Sequence, residues 1–150
     1  MKRSILQRMD TERIRAFLLK LPHVVETVQW GDNLVFWVSD KAIGGKMFTL
    51  VNLDVGGKGV VSFSAGPEHY AELVEIDGLF PAPYMARIWW VAAERWDVLR
   101  PQQWEQELRA AYDITFAKLP PRTRAALAMP AKERQTLIMK RRQLLKSRTG

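Results

Sequence analysis

The sequence predicts an α+β fold of two layers, an antiparallel five-stranded sheet with helices packed on one face, followed by a basic helical C-terminal extension. Three observations predict it. Between Pro22 and Ala65, short runs rich in Val, Phe, Trp and Thr are separated by Gly31-Asp32-Asn33, Gly44-Gly45 and Asp54-Val55-Gly56-Gly57-Lys58-Gly59. Gly, Asp and Asn supply the turn positions that reverse a chain, and the β-branched and aromatic residues suit a pleated, half-buried surface. On either side, Ile14, Phe17, Leu18 and Leu21, then Trp104, Leu108, Ala111, Tyr112 and Thr115, recur at helical spacing. Finally, residues 120–150 hold nine Lys/Arg against Glu133 alone.

Asp10 is placed to cap the first helix, with Glu12 in the first turn where the helix dipole favours an anion. Pro22 ends that helix, because the residue before proline is pushed out of the α region. Strands are predicted over roughly residues 26–30, 34–39, 46–53 and 60–65. Pro67 opens a second helix at the position where its missing N–H costs nothing, with Tyr70, Leu73 and Val74 as a short apolar face. Asp77-Gly78 breaks it. Residues 79–84, with Pro81 and Pro83, read as irregular, and 87–93 as the fifth strand. Pro101 starts a long helix to about Lys118, ended by Pro120-Pro121. Residues 131–148 read as a basic helix in which Leu137, Ile138, Leu144 and Leu145 form a narrow stripe interrupted by Arg141. The domain thus occupies 1–119 and the extension 120–150.

Alternation sets Val35 and Trp37 on the sheet face opposite Leu34, Phe36 and Val38, and Trp89 opposite Trp90. Both faces carry aromatic residues. Either the C-terminal segment covers the second face, or that face binds a partner. The six Trp are expected mostly in the core, with any exceptions on the uncovered face.

A chain of 150 residues suits one domain. It has no Cys, which excludes disulfides, thiolate metal sites and Cys nucleophiles. The start has basic residues but no apolar segment of the secretory kind, and no apolar run approaches the ~18 residues that span a bilayer. A cytoplasmic, soluble protein is expected. The net charge of +7 is unevenly spread: residues 120–150 carry +8, leaving −1 for residues 1–119. A basic helix beside a mildly acidic body can dock on it, lie on an anionic membrane or track phosphates.

No catalytic constellation emerges. His23 and His69 have no carboxylates at metal-ligand spacing beyond the adjacent Glu68 and read as surface histidines, and Glu68, Glu72 and Glu75 read as a solvated helix face. Gly56-Gly57-Lys58-Gly59 is followed by a strand, so it is a hairpin turn rather than a phosphate loop. Ser62 and Ser64 lack a nucleophile elbow. Lys46, entering its strand after two glycines, reads as an edge-strand lysine or as a phosphate contact. No cofactor or metal is predicted.

The ordered set Leu21-Pro22, Glu26, Trp30-Gly31-Asp32, Val35-Phe36, Gly45-Lys46-Met47-Phe48, Pro83-Tyr84, Trp90-Val91 and Tyr112 resembles the MmcQ/YjbR family over about residues 9–119. Proteins of this family are small, bacterial and described as DNA-binding with a double-wing motif. The resemblance implies a YjbR-like fold, related in shape to secretion-chaperone and frataxin-like folds, and a DNA-binding role. The chain departs from the family in reading Ser62-Phe63-Ser64-Ala65 where relatives often carry a Lys at the end of the fourth strand. Its basic extension lies beyond the family core.

The expected function is non-enzymatic DNA binding. Phosphate contacts would come mainly from Arg122, Arg124, Lys132, Arg134, Lys140, Arg141, Arg142, Lys146 and Arg148, with Lys46 and Arg87 on the body. The alternative is a protein-interaction module, with a protein partner on the aromatic second sheet face and the basic helix docked structurally.

Overall fold

Asp10 accepts the Arg13 backbone N–H at 2.8 Å and so caps α1 (Thr11–Leu18), whose Ile14 and Leu18 turn into the core. After Pro22 the chain enters the sheet. The computed structural model describes residues 8–54 and 59–149, so the hairpin residues Gly56, Gly57 and Lys58 lie outside the described part. The strands are β1 (Val24–Gln29), β2 (Asn33–Val38), β3 (Lys46–Asn52), β4 (Val61–Ser64), β5 (Leu79–Pro81) and β6 (Trp90–Ala93). They form one sheet in the order β1-β2-β3-β4-β6-β5, antiparallel throughout. The helices are α2 (Pro67–Leu73), α3 (Pro101–Ala117), α4 (Pro121–Leu127) and α5 (Ala131–Thr149).

The sheet has six strands where the sequence predicts five. Leu79–Pro81, expected to be irregular, pairs with β6 as an edge strand, the position in which a proline's missing N–H leaves no ladder bond unmade. The strand expected from Arg87 begins only at Trp90, because Ala86–Ile88 forms a 3-10 turn closed by Trp89 at φ 65°. Trp89 and Trp90 therefore do not alternate across a strand. α4 is a further difference: Pro121 sits at its first position and starts a helix instead of only ending the previous one.

The helical spacing along α3 is borne out, with Trp104, Leu108, Ala111, Tyr112 and Thr115 all buried. All but Thr115 share one core with Phe36, Phe48, Phe63, Val51, Val61 and Val91 of the sheet. A bulge in β3 shapes this layer. Phe36 lies opposite Thr49 while Trp37 lies opposite Met47, so Phe48 is an extra residue that packs edge-on against Tyr112 at 5.7 Å. Tyr112 in turn donates its hydroxyl to the Pro22 carbonyl at 2.7 Å, tying α3 to the entry of β1.

The second face forms a smaller apolar cluster. Ala82, Trp90 and Ala92 are buried there, with Met47, Leu50, Phe80 and Met85 half-buried around them. Trp37 is also buried, its Nε1 donating to Thr27 at 2.9 Å and its ring beneath the Lys41 ammonium. The chain from Ala82 to Met85 contributes to this cover. α4 and α5 dock elsewhere, on the 3-10 turn Lys41–Ile43 that links β2 to β3.

Candidate nucleic-acid interface

The antiparallel register brings distant parts of the chain to one end of the sheet. Val24 opposes Val38, Val38 opposes Lys46, and Ser64 opposes Trp90. His23, the 39–45 turn, Lys46, the start of α2 and the 82–89 loop therefore all lie at that end. β3 and β6 are two strands apart, about 10 Å at ordinary strand spacing, and both begin there. Among the described residues five non-glycine residues have positive φ, and four of them, His23, Ser39, Tyr84 and Trp89, belong to this end. Such conformations cost roughly 1–3 kcal/mol each and concentrate where function requires them.

The 39–45 turn is the socket for the C-terminal arm. Asp40 caps it by accepting the Ala42 N–H at 2.8 Å and also receives the Arg142 guanidinium. Thr123 donates to the Ile43 carbonyl at 2.7 Å, and Ala126 and Ile138 are buried. Glycine is required at Gly45, where a Cβ would lie 2.0 Å from the Ser39 carbonyl oxygen. The Ser39 hydroxyl is buried with no hydrogen-bond partner, the single such side-chain atom among the described residues.

The predicted cations divide into two groups. Arg124 donates to the Ala117 carbonyl at the end of α3, Arg134 donates to Met129 at 3.0 Å and Leu127 at 3.4 Å at the end of α4, and Arg142 binds Asp40. These three hold the arm together and fix it to the body. Arg122, Lys132, Lys140, Arg141, Lys146 and Arg148 are exposed. Lys132 and Lys140 flank a shallow groove of about 500 Å³ that Met129 and Leu137 also line. Arg122 and Arg141 border a second, of about 250 Å³, between the arm and the 42–44 turn. On the body Lys46 and Arg87 are both exposed. Lys46 opens an interior strand, so the edge-strand reading does not describe it. Leu137 and Ile138 face the body, but Leu144 and Leu145 stay exposed, so the apolar stripe is only half used.

At the histidines, Glu107 beside His69 and Arg134 near His23 are not legible from spacing, whereas Glu72 stands three residues from His69 on the same helix. His69 Nε2 lies 2.6 Å from Glu107 of α3 and its Nδ1 3.4 Å from Glu72. Burial lowers its pKa, but the hydrogen bonds and charges of Glu107 and Glu72 outweigh that and leave it raised. His23 moves the other way, lowered by burial and by the nearby positive charge of Arg134. Among the described residues no group of three or more His, Asp or Glu comes together as a metal site.

The sequence marks Tyr84 only as part of a loop, yet its side chain is 99% exposed. The signal that could have found it is Pro83, since proline at the second position of a turn puts the next residue at the tip. Trp30 and Trp89, 60% and 41% exposed, are the most exposed of the Trp residues. Both occupy positive-φ turns rather than the uncovered sheet face expected for them.

The YjbR family model matches residues 19–114. The chain belongs to the YjbR family. The match stops before the end of α3, so the YjbR region holds the sheet, Lys46, Arg87 and Tyr84, while the cationic arm lies beyond it. The crystal structure of Deinococcus radiodurans protein DR2400, with the family-model domain DUF419, has the same fold. The two are 21% identical with a TM-score of 0.68, over 86% of this chain and 94% of that one. No curated protein matches the chain. Among the described residues no helix is long and apolar enough to cross a membrane.

Proposed function

We propose that this YjbR protein is a non-enzymatic DNA-binding protein whose phosphate contacts come mainly from α5, with Lys46 and Arg87 adding contacts from the body. The observation that carries this reading is how α5 is docked. Arg134, Ile138 and Arg142 hold it, while Lys132, Lys140, Arg141, Lys146 and Arg148 are exposed on a helix whose acidic residue is Glu133. These cations are spread around the helix rather than along one line, and each phosphate that one of them neutralises releases counterions. The experiment is a duplex-DNA titration across a salt series with the parent and with Lys132→Glu/Lys140→Glu/Arg141→Glu. None of these three side chains helps to fix the arm, so the variant should melt like the parent. Affinity should fall by at least tenfold, and the slope of log K against log salt should shrink by ~0.9 for each phosphate that is no longer neutralised. Equal affinity and slope would remove α5 from the interface.

A second reading, a protein-interaction module, is supported by the half-buried Met47, Leu50, Phe80 and Met85 on the second sheet face. It predicts a partner whose binding is insensitive to salt and to the charge reversals above.

A further inference from the structure

The loop between β5 and β6 carries a side chain that its own fold does not use. Pro83 and Tyr84 occupy the centre of a turn closed by the Met85 N–H to the Ala82 carbonyl at 3.2 Å. With proline second and a positive φ third, this is the type II arrangement, whose third position favours glycine. Here it holds tyrosine, at φ 65°. For a bulky side chain that backbone is strained, and glycine would relieve it. The ring gains nothing in return from packing, being 99% exposed.

The loop beneath is firmly built. Ala82 N–H bonds the Trp90 carbonyl at 3.1 Å, Trp90 N–H the Met85 carbonyl at 3.2 Å, and Trp89 N–H the Ala86 carbonyl at 3.0 Å. Trp89 is braced edge-on by Tyr70 at 5.5 Å. Tyr84 is thus a flat aromatic side chain displayed on a fixed support, whose backbone is already ordered before binding. Along its own loop the charge suits an anion, since between Asp77 and Glu94 the single charged residue is Arg87, although the first turn of α2 brings Glu68 to the same end of the sheet. Lys46 opens the strand two places away at the same end of the sheet.

We infer that Tyr84 stacks on an unpaired nucleobase, with Arg87 and Lys46 holding the flanking phosphates, so that the body recognises single-stranded or unstacked nucleic acid. Any base presents a π face to such a ring, which makes the stack sequence-tolerant. A duplex keeps its bases stacked on each other and offers the ring nothing equivalent. This inference rests on the DNA-binding reading above. It deepens it by dividing the work: α5 supplies charge to either form of DNA, and the 82–89 loop adds preference for the open form.

The test uses the full chain, a thymidine oligonucleotide and a duplex of equal length, both titrated across a salt series. Tyr84→Ala should weaken single-strand binding by ~5- to 150-fold, the range that removal of one base–aromatic stack produces. Its salt slope should match the parent's, because no charge is removed. Duplex affinity should hardly change. Tyr84→Phe should bind like the parent, since the ring and not the hydroxyl makes the stack. Tyr84→Gly should lose the same affinity yet melt no lower than the parent, which separates loss of the stack from loss of the fold. If Tyr84→Ala binds the single strand as the parent does while the α5 charge reversals still weaken binding, the stacking assignment is wrong and the charge reading stands. If the parent binds neither form of DNA, both are wrong.

Discussion

Trp90 and Trp89 are neighbours in the chain with opposite surroundings. Trp90 opens β6 and is buried among Ala82, Ala92, Met47, Leu50, Phe80 and Met85, on the sheet face away from α1 and α3. Trp89 is left-handed, partly exposed and supported by Tyr70. Removing the Trp90 indole would leave a cavity in a small cluster that has no helix to collapse inward. Trp90→Ala should therefore cost about 3–5 kcal/mol, a large share of the stability of an ordinary domain. Trp89→Ala should cost less. Chemical denaturation of the two variants checks this, and a Trp90→Ala protein as stable as the parent would show that the second-face cluster contributes nothing to stability.

At the scale of elements, the arm formed by α4 and α5 rests on one turn. Its fixed points are Thr123 on the Ile43 carbonyl, Arg142 on Asp40 and the buried Ala126 and Ile138. The main core is complete without them: apart from the half-buried Leu127, its members end at Leu119. A chain ending at Leu119 retains all six strands and α1 to α3, so it should fold. It gives up one neutral hydrogen bond, the Arg124 bond to the Ala117 carbonyl, one ion pair whose arginine is largely in water, and a small apolar patch. Together these are about 2–5 kcal/mol. Its net charge falls from +7 to −1, so any phosphate-driven affinity should fall with it. Thermal melts and native-state hydrogen exchange give the answer; a truncated chain without a cooperative transition would make the arm an integral part of the domain.

For the whole molecule, the two histidines set opposite dependences of stability on pH. The folded-state pKa of His69 is raised, so its contribution is present below about 6.5 and is lost as pH rises through the folded value. The folded-state pKa of His23 is lowered, so its contribution is present above about 6.5 and is lost as pH falls through the folded value. Melting curves of His69→Gln should accordingly lie furthest below the parent in acid and approach it as pH rises past neutrality. Those of His23→Gln should gain on the parent as the solution is acidified, because an uncharged side chain no longer resists protonation beside Arg134. Parallel curves for either variant would mean that its histidine titrates alike in the folded and unfolded chain.

The sequence by itself determined the local features of this protein. Period and punctuation act over a few residues, so the Asp10 cap, the first four strands, the Pro67 start and the buried stripe of α3 could be read directly. The basic helix could too, because charge is additive along a segment. The misses have a common physical cause, which is that the deciding partner lay far away in the chain. Leu79–Pro81 became a strand because β6 offers it an edge, although two prolines argued locally against one. Arg124, Arg134 and Arg142 looked the same as Lys140 and Arg141, and only the docked arm made the first three structural. Glu107 reaches His69 across 38 residues, and the strand order brings Lys46 and Arg87 to the same end of the sheet. Tyr84 is exposed because the loop around it bonds to itself and to β6, leaving the ring no neighbour to pack against. Composition and spacing settle which residues can be cationic or aromatic; tertiary structure alone decides which remain unused by the fold and so available to a ligand.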